Sequence, residues 1–478
     1  MSAVSKDPLK RSLLQLECHF TWNLLEQDVD LDNLEEKLDD QTEFFTSNNV
    51  LNYNLLSYIC HLKNSNVEAL RNLQKAEEAA KKNNPDEIDQ KSLVTWGNYA
   101  WIYYHMERYE EAQTYVSKVE NTCKKLSSSA EWKTHLPEIY AEQGWALLKF
   151  GRKYFERAKN CFENALKNEP NNPEFNAGYA IATYRLENLS PSAGEDGSST
   201  LKSLKRAVEL NPTDTSLMAL LALQFQALGR ANEGEKYIEE AMQKTPHLPY
   251  LLRYAAKFYR KKGEVGKAVK ILKKSLEVTP ESAFLHHQIG QCYKVMMFQQ
   301  EKRYLSREEV QNLIQLSIFH FKTATEKNSK FFPAFIDLAN MYAKERRYEK
   351  AEEAFQKAFQ INTLFDDDKQ FFYYNYGRFQ LCHMKSESEA IKYYLKALKI
   401  KEESIGREKS RDSLMKLLGQ RIQRGSGNAT DFGTLGLVHK LNGEKQEAIK
   451  CYEKAIALCP DSEEYLNELC ELKLSISN

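Results

Sequence analysis

Four side chains in the stretch YLLRYAAKFYRKK, residues 250–262, have types and spacings that suit the binding of an anion. Tyr250, Arg253, Lys257 and Arg260 follow one another at intervals of three, four and three residues. The stretch contains no Pro or Gly and is predicted to be helical; at about 3.6 residues per turn, the four side chains share an arc of about 80°. Cations at these spacings repel one another unless an anionic group lies between them. The stripe therefore predicts an anionic ligand.

A repeated pattern predicts the elements that position this stripe. An aromatic residue is followed three residues later by Ala, and three or four residues after that by a second aromatic residue. This pattern is typical of the tetratricopeptide repeat, in which a small residue lets two helices approach closely, an aromatic ring fills the adjacent gap and a proline ends the unit. It occurs as Tyr109, Ala112 and Tyr115; as Phe155, Ala158, Phe162 and Ala165; as Tyr348, Ala351, Phe355 and Ala358; and as Ala448, Tyr452 and Ala455.

The spacing of the small residues supports the same repeat. They recur at intervals of 34 residues through Thr200, Gly234 and Ala268, and again from Ser317 to Ala351, which is the period of the tetratricopeptide repeat. The predicted fold class is therefore all-α, a superhelical solenoid of tetratricopeptide-type helix pairs. The predicted units lie near residues 54–83, 95–126, 137–170, 173–212, 215–246, 249–280, 283–330, 331–363, 370–402 and 433–461.

Four parts of the chain are predicted. They are 1–48, an N-terminal helical segment; 49–246, N-terminal and central repeats; 247–363, central repeats with the basic stripe; and 364–478, C-terminal repeats with a basic segment at 401–425. The runs LSPSAGEDGSST (189–200) and GSGNAT (425–430) are predicted to be loops or breaks, and FDDDKQ (365–370) a solvated loop between repeats. The segment 401–425 has a basic surplus of three, which suits either a second contact to a nucleic-acid backbone or a plain exposed helix.

The repeat register points the stripe toward the concave surface that the first helices of such units form. Ala256 occupies the tight site of its helix, which places Tyr250, Arg253, Lys257 and Arg260 at unit positions 2, 5, 9 and 12. A cationic surface with aromatic rings, in a chain of zero formal net charge, predicts an anionic partner with flat groups that stack. The register applied to neighbouring units, together with adjacent aromatic residues, completes the predicted binding set with Trp145, Lys149, Phe155, Arg185, Tyr254, His287 and Gln288.

Composition excludes several classes of function. The 478 residues are 42% hydrophobic and 28% charged, with 67 basic and 67 acidic residues, so we expect a folded, soluble protein whose basic sites are local. No segment approaches the ~20 apolar residues of a spanning helix, and the N-terminus lacks a signal-peptide run, so a cytoplasmic location is expected. The nine cysteines are odd in number and scattered, which predicts reduced, mostly buried thiols.

The sequence contains no signature of catalysis or cofactor binding. P-loop, HExxH, GxSxG and paired-glycine dinucleotide motifs are absent, so we expect a binding protein with no enzymatic activity and no cofactor. No metal is expected at His286 and His287, because adjacent helical residues do not face each other and no Cys or carboxylate completes a ligand spacing. If the protein were an enzyme, only His287 of the predicted binding residues would be a candidate general base. The alternative of another class is a scaffold that binds acidic peptide tails through inward Lys and Arg.

Several long blocks are more specific than the repeat pattern: LECHFTWNLL (16–25), LVTWGNYAWIYYHM (93–106), GWALLKFG (144–151), RYAAKFYRKKG (253–263), LHHQIGQCYK (285–294) and YGRFQ (376–380). They resemble the family of interferon-induced proteins with tetratricopeptide repeats, and the resemblance covers essentially the whole chain. The ending YLNELCELKLSI (465–476) is most similar to the member that acts alone on uncapped 5′-triphosphate RNA.

This resemblance implies a function and a set of site residues. Members of the family bind the 5′ end of single-stranded viral RNA in a basic tunnel, hold its triphosphate or unmethylated cap, and keep the RNA from translation without enzymatic activity. The expected function is an innate antiviral protein that binds triphosphate RNA, with other family members as further partners; a cap without 2′-O-methylation is the alternative ligand. The resemblance places the triphosphate contacts at Gln41, Lys149, Arg185, Tyr250, Arg253, Tyr254, Lys257 and Gln288, with Arg260 and His287 on the first nucleotides.

Two positions depart from the family pattern. Asn33 stands where members tend to hold an acidic residue near the phosphates, which argues against an assumed cation site. Lys37 stands where the triphosphate-binding member has a neutral hydroxyl residue and the cap-binding member has a basic one. We therefore expect Lys37 to contact the RNA and to extend binding toward capped ends.

Overall fold

The chain divides into two compact units, Met1–Pro246 (unit 1) and His247–Asn478 (unit 2). The computed structural model describes residues 6–29, 31, 34–35, 38, 49–83, 88–126, 136–189, 197–302, 306–361 and 365–477. Regular structure within these ranges is helical throughout, without a β-strand. The division of each unit into further domains stays a prediction.

Unit 1 contains twelve helices among its described residues. They are α1 (Lys6–Leu13), α2 (Asn49–Leu62), α3 (Asn66–Asn83), α4 (Ile88–Lys91), α5 (Leu93–His105), α6 (Tyr109–Leu126), α7 (Pro137–Phe150), α8 (Phe155–Asn168), α9 (Pro173–Glu187), α10 (Ser198–Leu210), α11 (Thr215–Ala227) and α12 (Ala231–Lys244), with 3-10 turns at Glu26–Asp28 and Arg152–Tyr154.

Unit 2 continues in the same way. Its helices are α13 (Pro249–Lys262), α14 (Val265–Val278), α15 (Ala283–Lys302), α16 (Arg307–Lys327), α17 (Phe332–Lys344), α18 (Tyr348–Phe359), α19 (Asp366–Cys382), α20 (Glu387–Lys399), α21 (Ile405–Gln423), α22 (Ala429–Leu441), α23 (Lys445–Leu458) and α24 (Glu463–Ser477).

Consecutive helices pack against each other in pairs. In unit 1 the pairs are α2 with α3, α5 with α6, α7 with α8, α9 with α10 and α11 with α12; in unit 2 they run from α13 with α14 to α19 with α20, followed by α22 with α23. These pairs coincide with the predicted units and confirm the all-α solenoid of tetratricopeptide type. The helix α21 is unpaired in this sense and packs on α19, α20 and α22.

Glycines at the tight sites explain how closely the paired helices approach. A Cβ atom at Gly144 of α7 would lie 2.8 Å from the ring of Phe162 on α8, and one at Gly290 of α15 would lie 2.6 Å from the ring of Phe321 on α16. Both rings are fully buried. The aromatic side chain therefore occupies the space that the missing Cβ leaves, as the repeat pattern predicts.

All three predicted loops are partly helical. The run GSGNAT (425–430) is a loop only as far as Asn428, because α22 begins at Ala429. The interpretation of FDDDKQ as a solvated loop is wrong, because Asp366, Asp367 and Asp368 form the first turn of α19. Carboxylates are stabilising at this end of a helix, where the backbone N–H groups carry partial positive charge. The run at 189–200 also ends earlier than predicted, since α10 begins at Ser198.

The cysteines and the helix lengths add two observations. All nine cysteines are free thiols; those at 18, 60, 123, 161 and 292 are buried, whereas those at 382, 459 and 470 are exposed. Among the helices described above, none is both long and apolar enough to cross a bilayer.

Candidate nucleic-acid interface

The helix α13 carries the predicted cationic stripe. It ends at Lys262 and is followed by Gly263, whose left-handed φ of 94° suits glycine and lets the chain turn away. Tyr250, Arg253, Lys257 and Arg260 are all half-buried, so each side chain is held by its neighbours and still reaches solvent. One face of one helix therefore presents three cationic groups and a phenol in fixed order.

Aromatic rings hold the first turn of this stripe in place. The hydroxyl groups of Tyr250 and Tyr254 are hydrogen-bonded at 2.7 Å, and their rings meet edge to face with centroids 4.6 Å apart. The guanidinium group of Arg253 lies 5.4 Å from the ring centroid of Phe284 on α15, a cation–π distance. Such contacts restrict the rotamers of the binding groups before a ligand arrives.

The surroundings of Lys257 lower its pKa. Burial, together with the positive charges of Lys261 and Arg260, lowers the pKa of Lys257 to about 8. Arg260 also hydrogen-bonds the buried thiol of Cys292, whose pKa burial raises to about 11. The charged form of Lys257 is thus disfavoured in the free protein, and an anion beside it would restore its usual pKa.

An acidic residue that sequence reasoning missed lies on α17 and contacts side chains of α15. Asp337 of α17 binds the Nε2 atom of His287 at 2.8 Å and the ammonium group of Lys294 at 2.7 Å, and also accepts a hydrogen bond from Gln291. Burial would raise the pKa of Asp337, but the charge of Lys294 and the hydrogen bond from His287 outweigh it and hold this pKa below its usual value.

This network fixes His287, which is buried and only 6% exposed. The side chain of Gln288 lies 3.3 Å from its other ring nitrogen, Nδ1. Both ring nitrogens therefore have partners, so the imidazole orientation is set by α15 and α17. A role for His287 as a general base is disfavoured by this arrangement, whereas its proposed contact with the first nucleotides stays a prediction.

A second set of predicted residues lies in unit 1 on α7 and α9. Lys149 donates a hydrogen bond to the side-chain oxygen of Asn52 on α2. Burial lowers the pKa of Lys149 to about 8, with a further contribution from the positive charge of Arg185. Arg185 itself donates to the carbonyl of Leu148 at 2.9 Å and lies 5.7 Å from the ring centroid of Phe155.

The buried carboxyl group of Glu142 belongs to the same set and was also missed. It accepts a hydrogen bond from the amide of Asn54 at 2.8 Å. Burial raises the pKa of Glu142 to about 8, and the nearby carboxylate of Glu174 adds to this shift. Two turns separate Glu142 from Lys149 on α7, so the acidic and the basic group share one face of the helix.

Trp145 has a partly unsatisfied side chain. Its ring packs edge to face on Phe162 with centroids 5.2 Å apart. Its indole N–H is buried and has no hydrogen-bond partner among the described residues. A buried donor without a partner costs about 1–3 kcal/mol, which a ligand acceptor would recover.

The structure thus brings together Tyr250, Tyr254 and the cations of α13 with residues of α15 in unit 2, and Lys149 with Arg185 in unit 1. Lys37, Gln41 and Asn33 lie outside the described residues, so their predicted roles stay predictions.

Most of the missed residues occupy repeat positions that could have been identified from the sequence. Continuing the register along α15 places Gln291 at position 9 and Lys294 at position 12, the positions of Lys257 and Arg260 on α13. Glu142 and Asp337 both fall at position 6 of their units. A search for acidic residues at that position would have found both, whereas Asn52 could be identified only from the fold.

The basic segment 401–425 is less available than its charge surplus predicts. Arg407 is buried, donates to the carbonyl of Leu441 at 2.9 Å and pairs with Glu403 at 2.9 Å. Arg421 bridges Asp431, at 2.8 Å, and Glu387. Two of the cations therefore hold α21 in place, and a contact to nucleic acid would depend on the others.

His286 faces a different neighbour from His287. Its Nδ1 atom lies 3.1 Å from Nδ1 of His320 on α16. Among the residues that the structure describes, no group of three His, Cys, Asp or Glu side chains is placed to hold a metal ion.

Comparison with known proteins places these residues in a family. Tetratricopeptide repeat signatures match residues 93–121, 142–196, 332–363 and 432–462. Protein IFIT1 homolog B of Homo sapiens is 47% identical, over 95% of this chain and 97% of its own length. The antiviral innate immune response effector IFIT1 of Homo sapiens is 46% identical over the same shares, and the human interferon-induced protein with tetratricopeptide repeats 2 is 41% identical.

Solved structures of a relative resemble the whole chain. The human IFIT1 dimer with PPP-AAAA is 45% identical and superimposes with a TM-score of 0.78, over 95% of this chain and 100% of that chain. The human IFIT1 dimer with m7Gppp-AAAA is 45% identical over the same shares, with a TM-score of 0.80. The chain belongs to the family of interferon-induced proteins with tetratricopeptide repeats.

Proposed function

We propose that this protein is an innate antiviral effector that binds the 5′ end of single-stranded RNA, holds its triphosphate and sequesters it from translation. The relative IFIT1 is named an antiviral innate immune response effector, and it has been solved with PPP-AAAA. The protein acts by binding, without catalysis, in the cytoplasm. Its RNA-binding residues are Lys37, Gln41, Trp145, Lys149, Phe155, Arg185, Tyr250, Arg253, Tyr254, Lys257, Arg260, His287 and Gln288.

The observation that carries this proposal is the electrostatic state of α13. Lys257 has a pKa of about 8 because it is buried beside two other cations, Lys261 and Arg260. This arrangement is unfavourable in the free protein and becomes favourable when a polyanion neutralises it. The aromatic rings of Tyr250, Tyr254 and Phe284 beside these cations suit stacked bases.

Capped RNA is the second candidate ligand. The solved complex of human IFIT1 with m7Gppp-AAAA supports it. In this chain the half-buried ring of Trp145 offers a flat aromatic surface for a base. The cap and the triphosphate share the phosphate chain, so the same cations serve both ligands.

A titration with one RNA sequence carrying four different 5′ ends tests the proposal. We expect triphosphate RNA to bind most tightly, with capped RNA near it, and monophosphate and hydroxyl ends to bind at least tenfold more weakly, because the cations of α13 lose their anion. Equal affinity for all four ends would overturn the proposal. Tighter binding of an acidic peptide than of any RNA would favour the peptide-scaffold alternative.

A further inference from the structure

A second group of aromatic and cationic side chains occupies the inward positions of α19. Gly377 is the tight site of this helix, since a Cβ atom there would lie 2.8 Å from the ring of Tyr394 on α20. The register then places Phe371, Tyr374 and Arg378 at positions 2, 5 and 9. These are the positions of the first three stripe residues on α13, so α19 repeats the pattern of an aromatic residue followed by a cation.

Two cations flank the ring of Tyr374. The guanidinium group of Arg378 lies 5.9 Å from its centroid, and the ammonium group of Lys409 on α21 lies 5.8 Å from it. Arg378 also donates a hydrogen bond to the side-chain oxygen of Asn340 on α17 at 3.0 Å. Both cationic side chains are exposed, whereas Tyr374 is half-buried, so the ring orders two charges that face solvent.

The close packing of α21 on α19 brings Lys409 to this place. A Cβ atom at Gly406 would lie 2.6 Å from the backbone nitrogen of Phe371, so the two helices touch where α21 begins. Lys409 is one turn beyond Gly406, as Tyr374 is one turn beyond Phe371. The fold thus adds a cation from an unpaired helix to an inward surface.

The surroundings of Arg378 are positively charged. Burial lowers the pKa of His383, and the charges of Arg378, Lys385 and Lys344 lower it further. Lys344 ends α17 at unit position 13, the position that Lys149 holds in its own unit. The ring of Phe371, two turns before Arg378 on the same face of α19, is 37% exposed, which leaves an apolar surface where a base can stack.

We propose that Phe371, Arg378 and Lys409 form a second contact for single-stranded RNA, on nucleotides downstream of the 5′ end. This inference rests on the proposed function, because it assigns the downstream part of the same ligand. Arg378 and Lys409 bind backbone phosphates, and Phe371 stacks on a base. All three residues lie in unit 2, and Phe371 and Arg378 hold the same register positions as the stripe of α13. The contact is indifferent to sequence, because it uses phosphates and a ring face.

Unit 2 also provides a matched control. On α20, the ammonium group of Lys396 lies 4.5 Å from the ring centroid of Tyr393, so the same kind of cation–aromatic pair occurs on the second helix of the same repeat. Second helices of tetratricopeptide units do not line the concave surface. Lys396 also lies 5.8 Å from the ring centroid of Tyr373 on α19. Its removal therefore takes away one charge and two such pairs, and none of these residues belongs to the proposed contact.

The test compares two 5′-triphosphate RNAs of one composition, of about 4 and about 16 nucleotides, with the full-length protein. We expect the Arg378→Ala/Lys409→Ala variant to bind the long RNA about tenfold more weakly and the short RNA as tightly as wild type. Each lost phosphate contact should also reduce the salt dependence of log K for the long RNA by about 0.7. Phe371→Leu, which keeps an apolar side chain, should lower the affinity for the long RNA only.

The outcomes separate this inference from the proposed function. Equal losses for both RNAs, or no loss for either, would overturn the second contact, as would a comparable loss in Lys396→Ala. Melting temperatures of the variants show whether a loss reflects folding. The proposed function fails by a different result, namely that the wild-type protein binds short triphosphate and short hydroxyl RNA equally.

Discussion

Lys149 on α7 donates its hydrogen bond to Asn52 on α2, a residue 97 positions earlier in the chain. The partner is a neutral amide, so this bond orients the ammonium group without cancelling its charge. A carboxylate in the same place would form an ion pair and leave less positive potential for a ligand.

We therefore predict that Asn52→Asp lowers the affinity for triphosphate RNA. The side chains have nearly the same shape, and Asp would neutralise Lys149 within a largely buried site. A lost charged hydrogen bond of about 1.5–3 kcal/mol corresponds to roughly ten- to a hundredfold weaker binding. Fluorescence anisotropy with triphosphate-ended RNA measures the loss. Asn52→Ala, which removes the orienting group but adds no charge, should cost less; an equal cost would show that orientation matters more than charge.

Arg253→Ala should lower the affinity for triphosphate RNA roughly ten- to a hundredfold, because it removes a charged hydrogen bond from the stripe. Hydroxyl-ended RNA should lose much less, since its end offers the stripe no phosphate. The loss can be measured by titration of both RNAs at one salt concentration.

The matched control for this variant is Lys274→Ala. Lys274 is an exposed cation on α14, the second helix of the same repeat, so its removal changes net charge equally. If Lys274→Ala weakens triphosphate RNA as much as Arg253→Ala does, the stripe contributes only general charge. If Arg253→Ala lowers the affinity for triphosphate-ended and hydroxyl-ended RNA by the same factor, the stripe contacts backbone phosphates in general and does not recognise the 5′ end.

The fold was predictable because its information is local. The small residues and aromatic rings of each helix pair recur at fixed spacing, and rings such as Phe162 fill the space beside Gly144 as that spacing requires. The loop predicted at FDDDKQ was wrong because three acidic residues suit either a solvated loop or a helix start, and only the packing of α19 decides between them.

The repeat register predicts which side chains of a helix face the concave surface, and this much of the candidate site could be predicted from the sequence. The stripe of α13 follows from one helix, whereas the partners that tune it come from distant parts of the chain. Asp337 lies 50 positions from His287, and Asn52 lies 97 positions from Lys149. The position of Asp337 in its repeat could have been identified from the sequence, but its pairing with His287 could not, because it depends on which helices the fold brings together. Asn52 has no such signal in the sequence.

Two glycine substitutions should have opposite effects on stability. Gly290→Ala places a methyl group within 2.6 Å of the buried ring of Phe321, so we expect a loss of about 1–3 kcal/mol through overpacking. Gly419→Ala lies inside α21 with nothing within 4 Å of the added methyl group, so we expect a gain of about 0.5–1 kcal/mol from helix propensity. Denaturant unfolding measures both. A gain at Gly290 would contradict the packing of α15 on α16.

Glu142→Gln should change how stability depends on pH. The pKa of Glu142 rises from 4.5 to about 8 on folding, because the carboxyl group is buried. The folded state then binds more protons than the unfolded state between these values, so this group makes stability fall as pH rises through that window. Gln cannot ionise and lacks this decline. We expect equal melting temperatures for wild type and variant near about pH 4, below the pKa of the unfolded carboxyl group, and a melting temperature higher by a few degrees for the variant near about pH 8. A lower melting temperature of the variant at the higher pH would contradict the buried state of Glu142.

RNA binding should weaken as the pH rises above about 8, and Lys257 should account for part of the loss. The pKa of Lys257 is about 8 in the free protein because of burial and the charges of Lys261 and Arg260. A bound polyphosphate raises this pKa, so above that pH the protein must take up a proton to bind. The affinity constant then falls by up to tenfold per pH unit for each such lysine, and stays level below about pH 7, where the lysine is already charged.

Lys257→Arg tests the assignment, because a guanidinium group stays charged throughout this range. Between about pH 8 and 9.5, we expect the affinity constant of the variant for triphosphate RNA to fall less steeply with pH than that of the wild type. The slope of log K against pH should differ by up to about one log unit per pH unit. The remaining slope belongs to Lys149, whose pKa is also about 8, and Lys149→Arg should remove it in turn. Hydroxyl-ended RNA serves as the reference, since its binding uses the stripe less. An affinity for triphosphate RNA that is constant from about pH 7 to 9.5 in the wild type, or equal slopes in wild type and Lys257→Arg, would mean that the stripe is already fully charged before the RNA arrives.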